Sequence, residues 1–366
     1  MTVYFVVYIL SSFLSYRYSV EKNKNIAYIL KLLLFLTLFL PLALRYNIGT
    51  DYKNYFKLIR FDVNPSLGRW SSFELGWHPI LWIIKTFNLD IHLFFVITSF
   101  FSVYFVLKIV DKKTSFYAIL IYVSTLFLDS FSLVRQAFAA ILAVYGFKLY
   151  FDTGKKIKLI FVLVSVLFHN SMALLLLLTP LVIYMKKRKD FKTTTWFVIF
   201  IFSFLFFSIV NIPAILFRII SSSIFGNSSS YFSDSLYGSA TQLGSGLGVL
   251  LKEMCIVSFL FFMTKTTKFG VKNEVYAISN TMLLFILVSY VFSTQITIMN
   301  RIPYIFTTFY LITVKSLFYS KSRYRKLGLY LVILIFTANF IVNIIKNPSS
   351  GFGGLGITPY TWIFER

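Results

Sequence analysis

Six ionisable residues, Arg45, Asp51, Glu74, Arg135, His169 and Arg301, lie in or beside long apolar runs. At membrane depth such side chains are costly and usually face a cavity or a partner, so each is a candidate for chemistry. Arg135 and Gln136 precede the small residues Ala137, Ala139 and Ala140. The Arg135 guanidinium offers a planar fork of donors to a phosphate, which the point charge of a Lys does not match. A structural pair with Asp129 is the alternative. Arg301, after Met299-Asn300 and before Pro303, is the same kind of residue on another apolar segment. Two or three Arg from separate helices at one depth suit a diphosphate.

Glu74 opens the short apolar stretch Glu74-Leu75-Gly76-Trp77-His78-Pro79. It reads either as a carboxylate that stabilises a helix N-terminus or as a general base in a dry cleft. His78, between Trp77 and Pro79, reads as an interfacial residue. His169 stands with Asn170 and Ser171 inside an apolar segment, where a hydrogen-bonded structural role competes with a catalytic one. The run Arg45-Tyr46-Asn47-Ile48-Gly49-Thr50-Asp51-Tyr52-Lys53-Asn54-Tyr55 follows directly on the apolar run ending at Leu44. Arg45 alone is explained by an interfacial anchor, Asp51 by a helix cap and Gly49 by a turn. The density of hydrogen-bonding groups in the whole run favours the lip of a site. Three scattered His and a single Cys give no metal-ligand set, so no metal is expected. The glycines of Gly244-Ser245-Gly246-Leu247-Gly248 follow no strand and form no dinucleotide motif.

The elements that must position these residues are membrane helices. With 58% hydrophobic and 13% charged residues, the chain departs from the soluble mix. Thirty-six Lys and Arg against 13 Asp and Glu would suggest nucleic acid in a soluble protein. In a membrane protein the excess belongs to cytoplasmic loops, so no nucleic acid is expected. Apolar runs that match a bilayer core of about 30 Å recur near 2–16, 26–44, 91–108, 115–131, 134–151, 193–211, 247–264, 274–292, 302–319 and 327–346. The first lacks a basic leader and a small-residue cleavage site and reads as a retained helix. Basic clusters at 17–31, 108–113, 148–158, 186–192, 265–272 and 315–326 hold two thirds of the basic residues and mark one side as cytoplasmic. Both termini then lie outside. Residues 157–185 have clusters at both ends and are too long for one crossing, which predicts a fold back at His169-Asn170-Ser171. Residues 74–88 are short and read as a re-entrant or interfacial helix. The six candidates then share the outer side. The expectation is an all-α polytopic protein of about 10–14 transmembrane or half-membrane helices, one domain over 1–366, with outer loops near 45–73 and 211–246. The loop after Arg45 carries Lys53, Lys57, Arg60 and Arg69 against the positive-inside trend, which suits an anionic substrate or lipid head groups.

Arg45-Tyr46, Gly49-Thr50-Asp51-Tyr52, Tyr55, Glu74, Arg135-Gln136, Phe168-His169-Asn170-Ser171, Arg301 and Pro359-Tyr360, in this order, resemble the EpsG-type branch of bacterial Wzy-class polysaccharide polymerases. The resemblance implies a glycosyltransferase of GT-C-like architecture at the outer face of the cytoplasmic membrane. Such an enzyme joins repeat units carried on undecaprenyl diphosphate into O-antigen of lipopolysaccharide, capsule or exopolysaccharide. It implies diphosphate binding by Arg135, Arg301 and Arg45, a base in Glu74 or His169, and Asp51 as an orienting group. Tyr46, Tyr52 and Tyr55 would meet sugars, and Gln136, Asn170 and Tyr360 belong to the substrate-binding set. No cofactor is implied; the partners are the lipid-linked oligosaccharide, membrane lipid, a chain-length regulator and a flippase of the same pathway. The alternatives are a flippase or exporter of lipid-linked oligosaccharide, or a membrane sugar acyltransferase. A transporter would spread charge along its crossing path and show internal repeats, and these candidates gather on one side.

Overall fold

Helix boundaries follow the apolar runs closely in a computed structural model. It describes residues 1–61, 73–187, 198, 202, 282–286, 288, 289, 302–319, 325–346 and 355–365. The run expected at 247–264, most of those at 193–211 and 274–292, the loop 211–246, residues 62–72 of the loop 45–73 with Arg69, and Arg301 lie outside the described residues. The chain divides into two compact units, residues 1–179 with 329–366, and residues 180–328.

The first unit opens with α1 (Thr2–Val20) and α2 (Lys24–Ala43). The Asn23 side chain starts α2 by accepting the N–H groups of Asn25 and Ile26, which a helix start otherwise leaves unpaired. After α3 (Tyr52–Phe61) come a short turn of 3₁₀-helix at Leu75–Trp77 and α4 (His78–Thr86), the brief segment expected at 74–88. Then follow α5 (Leu93–Ile109), α6 (Ser115–Ser124), α7 (Leu126–Asp129) and α8 (Val134–Thr153). Gly154, at φ 71°, ends α8 with its N–H on the Tyr150 carbonyl, a conformation that suits a residue without a side chain. The chain continues through 3₁₀ turns at Lys156–Leu159 and Asn170–Met172, which flank α9 (Ile160–Phe168), into α10 (Ala173–Lys187). The expected break at His169 is therefore present.

Three of the described helices, Thr2–Val20, Lys24–Ala43 and Arg325–Ile345, are long and apolar enough to cross a bilayer. The segments Leu93–Ile109 and Lys112–Ser124 form a further apolar pair bent by 101°. The protein is an all-α polytopic membrane protein. One single run expected at 115–131 is instead α6 and α7, broken at Thr125. Asn339 and Asn343, on the helix Arg325–Lys346, donate to the Ser124 carbonyl at 2.8 and 3.4 Å, so a polar group at this break has protein partners in place of water.

Helices α9, α8, α5, α2, α1 and α6 pack as successive neighbours. Gly146 on α8 makes the α8–α9 contact close, since an added Cβ would stand 2.8 Å from the Cβ of Phe161. At one end of this layer, Lys112 Nζ donates to the Glu21 carbonyl at 2.7 Å, and Lys148 Nζ lies 3.5 Å from Asp111. Three of the basic clusters thus meet at one end. At the opposite end the Arg45–Thr50 loop meets the α7–α8 connection and the segment 355–365. Ser132 Oγ accepts the Thr50 N–H at 3.1 Å and donates to the Leu355 carbonyl at 2.6 Å. Tyr46 N donates to Thr361 O and Ile363 N to Leu44 O, so the segment lies antiparallel along the end of α2.

In the second unit, the run expected at 302–319 is two helices, α11 (Ile302–Thr307) and α12 (Tyr310–Phe318), and Phe285 packs edge-on against Phe306.

Candidate active site

Glu74 enters the site end of the first unit in extended backbone, just before the 3₁₀ turn at Leu75–Trp77, with Phe73 ahead of it. Gly76 allows this because an added Cβ would stand 2.8 Å from both the Leu167 carbonyl and the Phe168 ring. Trp77, 1% exposed, fixes the same approach with Nε1 donating to the Phe168 carbonyl at 2.8 Å and its ring against Phe94, Phe138 and Phe168.

Glu74 occupies the N-cap position of the turn, yet its side chain makes no capping bond. Its Oε2 instead meets Arg135 Nη1 at 2.7 Å, with the two side chains 12% and 21% exposed. Such a short charge-assisted bond in a shielded place is stronger than a surface pair. Arg135 is the second residue of α8, and its guanidinium lies 4.8 Å over the Phe73 ring and 5.5 Å from the centre of Tyr55. Its Nε donates to the Tyr55 hydroxyl at 3.4 Å. Burial holds the Tyr55 phenol above its ordinary pKa, so it is neutral in this pairing.

His169 completes the cluster. Its Nδ1 stands 3.9 Å from Glu74 Oε1, beyond a hydrogen bond, and accepts the Ser171 N–H at 3.2 Å. The Ser171 hydroxyl lies 3.0 Å from the same nitrogen. Because Nδ1 serves as an acceptor, Nε2 carries the proton in the neutral ring. The chain is extended at His169, between α9 and the turn at Asn170–Met172, and this break exposes the imidazole at the level of Glu74. Asn170 is exposed beside it, whereas Gln136 is buried at 3% exposure.

Arg45 has a different setting. It is 1% exposed, lies 4.8 Å over the Phe95 ring and 5.3 Å from Phe131, and donates to the Ser130 carbonyl at 3.3 Å. Its Nε finds no acceptor among the described residues. Burial pushes its pKa down to about 10, so it stays cationic at neutral pH. A diphosphate would reach it only by displacing an aromatic ring. Tyr360 lies near it with its hydroxyl on the Pro41 carbonyl at 2.8 Å and its ring edge-on to Tyr4 and Phe131. Tyr52, 4% exposed, stacks on Phe95 and places its hydroxyl 3.5 Å from His92 Nδ1. Tyr46 is half-buried at the rim, and Asp51 is partly exposed at the start of α3. His78 Nε2 lies 3.0 Å from the Phe73 carbonyl.

Glu74, Arg135, His169 and Tyr55 are thus brought together, and the buried Arg45 and Tyr52 with the partly buried Tyr360 form a brace beside them. Sequence patterns did not single out Phe73, Gly76 and Trp77 as positioning residues, or His92, 4% exposed, which binds the Ala43 carbonyl through Nε2. Glycine and tryptophan beside a lone carboxylate were the available signal. No group of His, Cys, Asp and Glu among the described residues has the arrangement of a metal site.

Gly49 shows how tightly the loop is set. Its φ is 96°, and an added Cβ would stand 2.1 Å from the Phe131 carbonyl. The motifs are therefore tied to a specific backbone and not to a generic loop. No curated protein and no solved structure matches the chain. Residues 28–362 match the family model of the EpsG family, a span that takes in every residue of the cluster. The chain accordingly belongs to the EpsG family, membrane proteins of polysaccharide biosynthesis.

Proposed function

We propose that the protein is a repeat-unit polymerase that transfers a growing glycan from undecaprenyl diphosphate to a lipid-linked repeat unit at the outer face of the bacterial cytoplasmic membrane. The observation that carries this is the Arg135–Glu74 pair with His169 beside it, in a chain that matches the EpsG family. In the reaction the bond from the anomeric carbon to the diphosphate oxygen breaks and a bond to the acceptor hydroxyl oxygen forms. The leaving diphosphate keeps the electron pair, and Arg135 stabilises its charge. Glu74 takes the acceptor proton at Oε1, the oxygen 3.9 Å from His169 Nδ1. His169 donates through Nε2 to the substrate, and Tyr55 holds Arg135 in place. Arg45 acts by fixing the loop that carries Asp51 and Tyr52. Arg301 remains a candidate for the second diphosphate. A flippase would deliver the substrate, and a chain-length regulator would set how many transfers occur.

The test is deletion of the gene in its host and restoration with wild type, Arg135→Ala or Glu74→Ala at matched membrane level, with the surface glycan resolved by gel. Single repeat units in the deletion and in both variants, with long chains restored by wild type, are expected. If no repeat unit reaches the surface, export is the function; if chains keep their length but lose a substituent, acyl transfer is.

A further inference from the structure

Helix α3 has two faces. Tyr52, Tyr55 and Ile59 are buried, and Tyr55 reaches Arg135. The other face carries Lys53, Lys57 and Arg60, all exposed and spaced to lie along one side of the helix. These three line an open trough of about 1080 Å³, and Lys85 of α4 joins them. Lys85 Nζ donates to the Arg60 carbonyl at 2.8 Å, which ties the two helices together across it. Tyr46 and Phe56 contribute partly exposed rings, and Asn47 and Asn88 contribute amides. Among the described residues Asp90 is the one carboxylate in this lining, and its Oδ1 accepts the His92 N–H at 2.8 Å.

We propose that this trough binds an anionic saccharide, namely a carboxylate- or phosphate-bearing sugar of the repeat unit or of the growing chain, through Lys53, Lys57, Arg60 and Lys85. The proposal rests on the polymerase assignment above. Among the described residues four cations and one carboxylate line the trough, which favours an anionic ligand. Aromatic rings and amides among the cations suit the alternating apolar faces and hydroxyls of a sugar. An acyl chain needs a continuous apolar groove, whereas the apolar Phe56, Ile84, Leu89 and Ile91 of this lining share it with the four cations, and the exposed Trp82 and Ile83 of α4 lie outside it. The trough lies across α3 from Arg135, so a helix width of about 10 Å separates it from the reaction centre. A saccharide extending from that centre covers this distance with a few sugar rings.

Two measurements test this. First, the glycan lost on gene deletion is analysed for uronic acid, phosphate and pyruvate. An acidic glycan is expected and a neutral one overturns the proposal. A glycan unchanged by deletion sinks the polymerase assignment, and the second measurement then decides the trough by itself. Second, the full chain in phosphatidylcholine nanodiscs is titrated with trigalacturonate and with maltotriose. Wild type should prefer trigalacturonate. The triple variant Lys53→Gln, Lys57→Gln, Arg60→Gln should bind it about ten-fold more weakly, and Lys53→Arg with Lys57→Arg should retain it. Equal binding of the two sugars, or an unaffected triple variant, overturns the proposal. Phosphatidylglycerol in the discs that abolishes trigalacturonate binding assigns the trough to lipid head groups and overturns it as well.

Discussion

Glu74 and Arg135 are each unfavourable alone at a shielded site, and at 2.7 Å each is the other's compensation. Removing one partner leaves the other charge uncompensated, a cost of up to about 3 kcal/mol. We therefore expect Arg135→Ala and Glu74→Ala each to melt lower than the Arg135→Ala/Glu74→Ala double variant in detergent. A double variant that melts lowest would mean the two side chains act independently. Arg135→Lys keeps the charge but loses both the planar fork and the stack over Phe73. Polymer formation in membranes should fall about a hundred-fold, while repeat-unit binding changes little; near wild-type rates would remove the leaving-group role. Glu74 was visible in the sequence as a lone carboxylate, but a helix cap explained it equally well. Only the missing capping bond and the Arg135 contact separate those readings. Arg45 shows the opposite: alone it reads as an interfacial anchor and within its polar run as part of a lip, and nothing local announces that Phe95 and Phe131 will enclose it.

Elements bring these residues together through a few close approaches. Ser132 Oγ joins the Thr50 N–H to the Leu355 carbonyl, so one hydroxyl links three stretches of chain. Ser132→Ala removes both of these part-buried hydrogen bonds, and should lower stability by about 1 kcal/mol. Thermal unfolding of the purified protein measures this, and an unchanged midpoint would show that the link is dispensable. Gly76→Ala must move the end of α9, because its new Cβ would collide with the Leu167 carbonyl and the Phe168 ring. The His169 break follows directly, so activity should fall further than stability does. The break itself was legible, since His169-Asn170-Ser171 is a polar trio within an apolar run of excess length. The short helix α4 was legible from the length of its run. The break at Thr125 was not: Leu120–Leu128 contains no Gly, Pro or charge. What accommodates it are Asn339 and Asn343, more than 200 residues further along the chain.

Across the first unit, α8 sets the distance between two chemically different ends. Its 20 residues span about 30 Å, with Arg135 at one end and Lys148 and Asp152 near the other. The contacts Lys112–Glu21 and Lys148–Asp111 place three basic clusters at that second end. At the first end lie Glu74, Arg135, His169 and the Lys53–Lys57–Arg60 face of α3. Both ends are basic, so counting Lys and Arg does not by itself choose which faces the cytoplasm. The denser and more numerous clusters favour the Lys148 end as the cytoplasmic one by the positive-inside trend. A lipid-diphosphate polymerase acting on exported units requires the Arg135 end to face outward. These two arguments are independent, and one measurement tests both. In a Cys255→Ser background, single cysteines at the exposed positions Asn170 and Lys156 are treated with a membrane-impermeant maleimide in intact cells whose outer layers are permeable to it. Asn170→Cys should label in intact cells and Lys156→Cys only after the membrane is opened. The reverse pattern would turn the protein over, expose the trough and the Arg135–Glu74 pair to the cytoplasm, and favour a reaction on units that have not yet crossed.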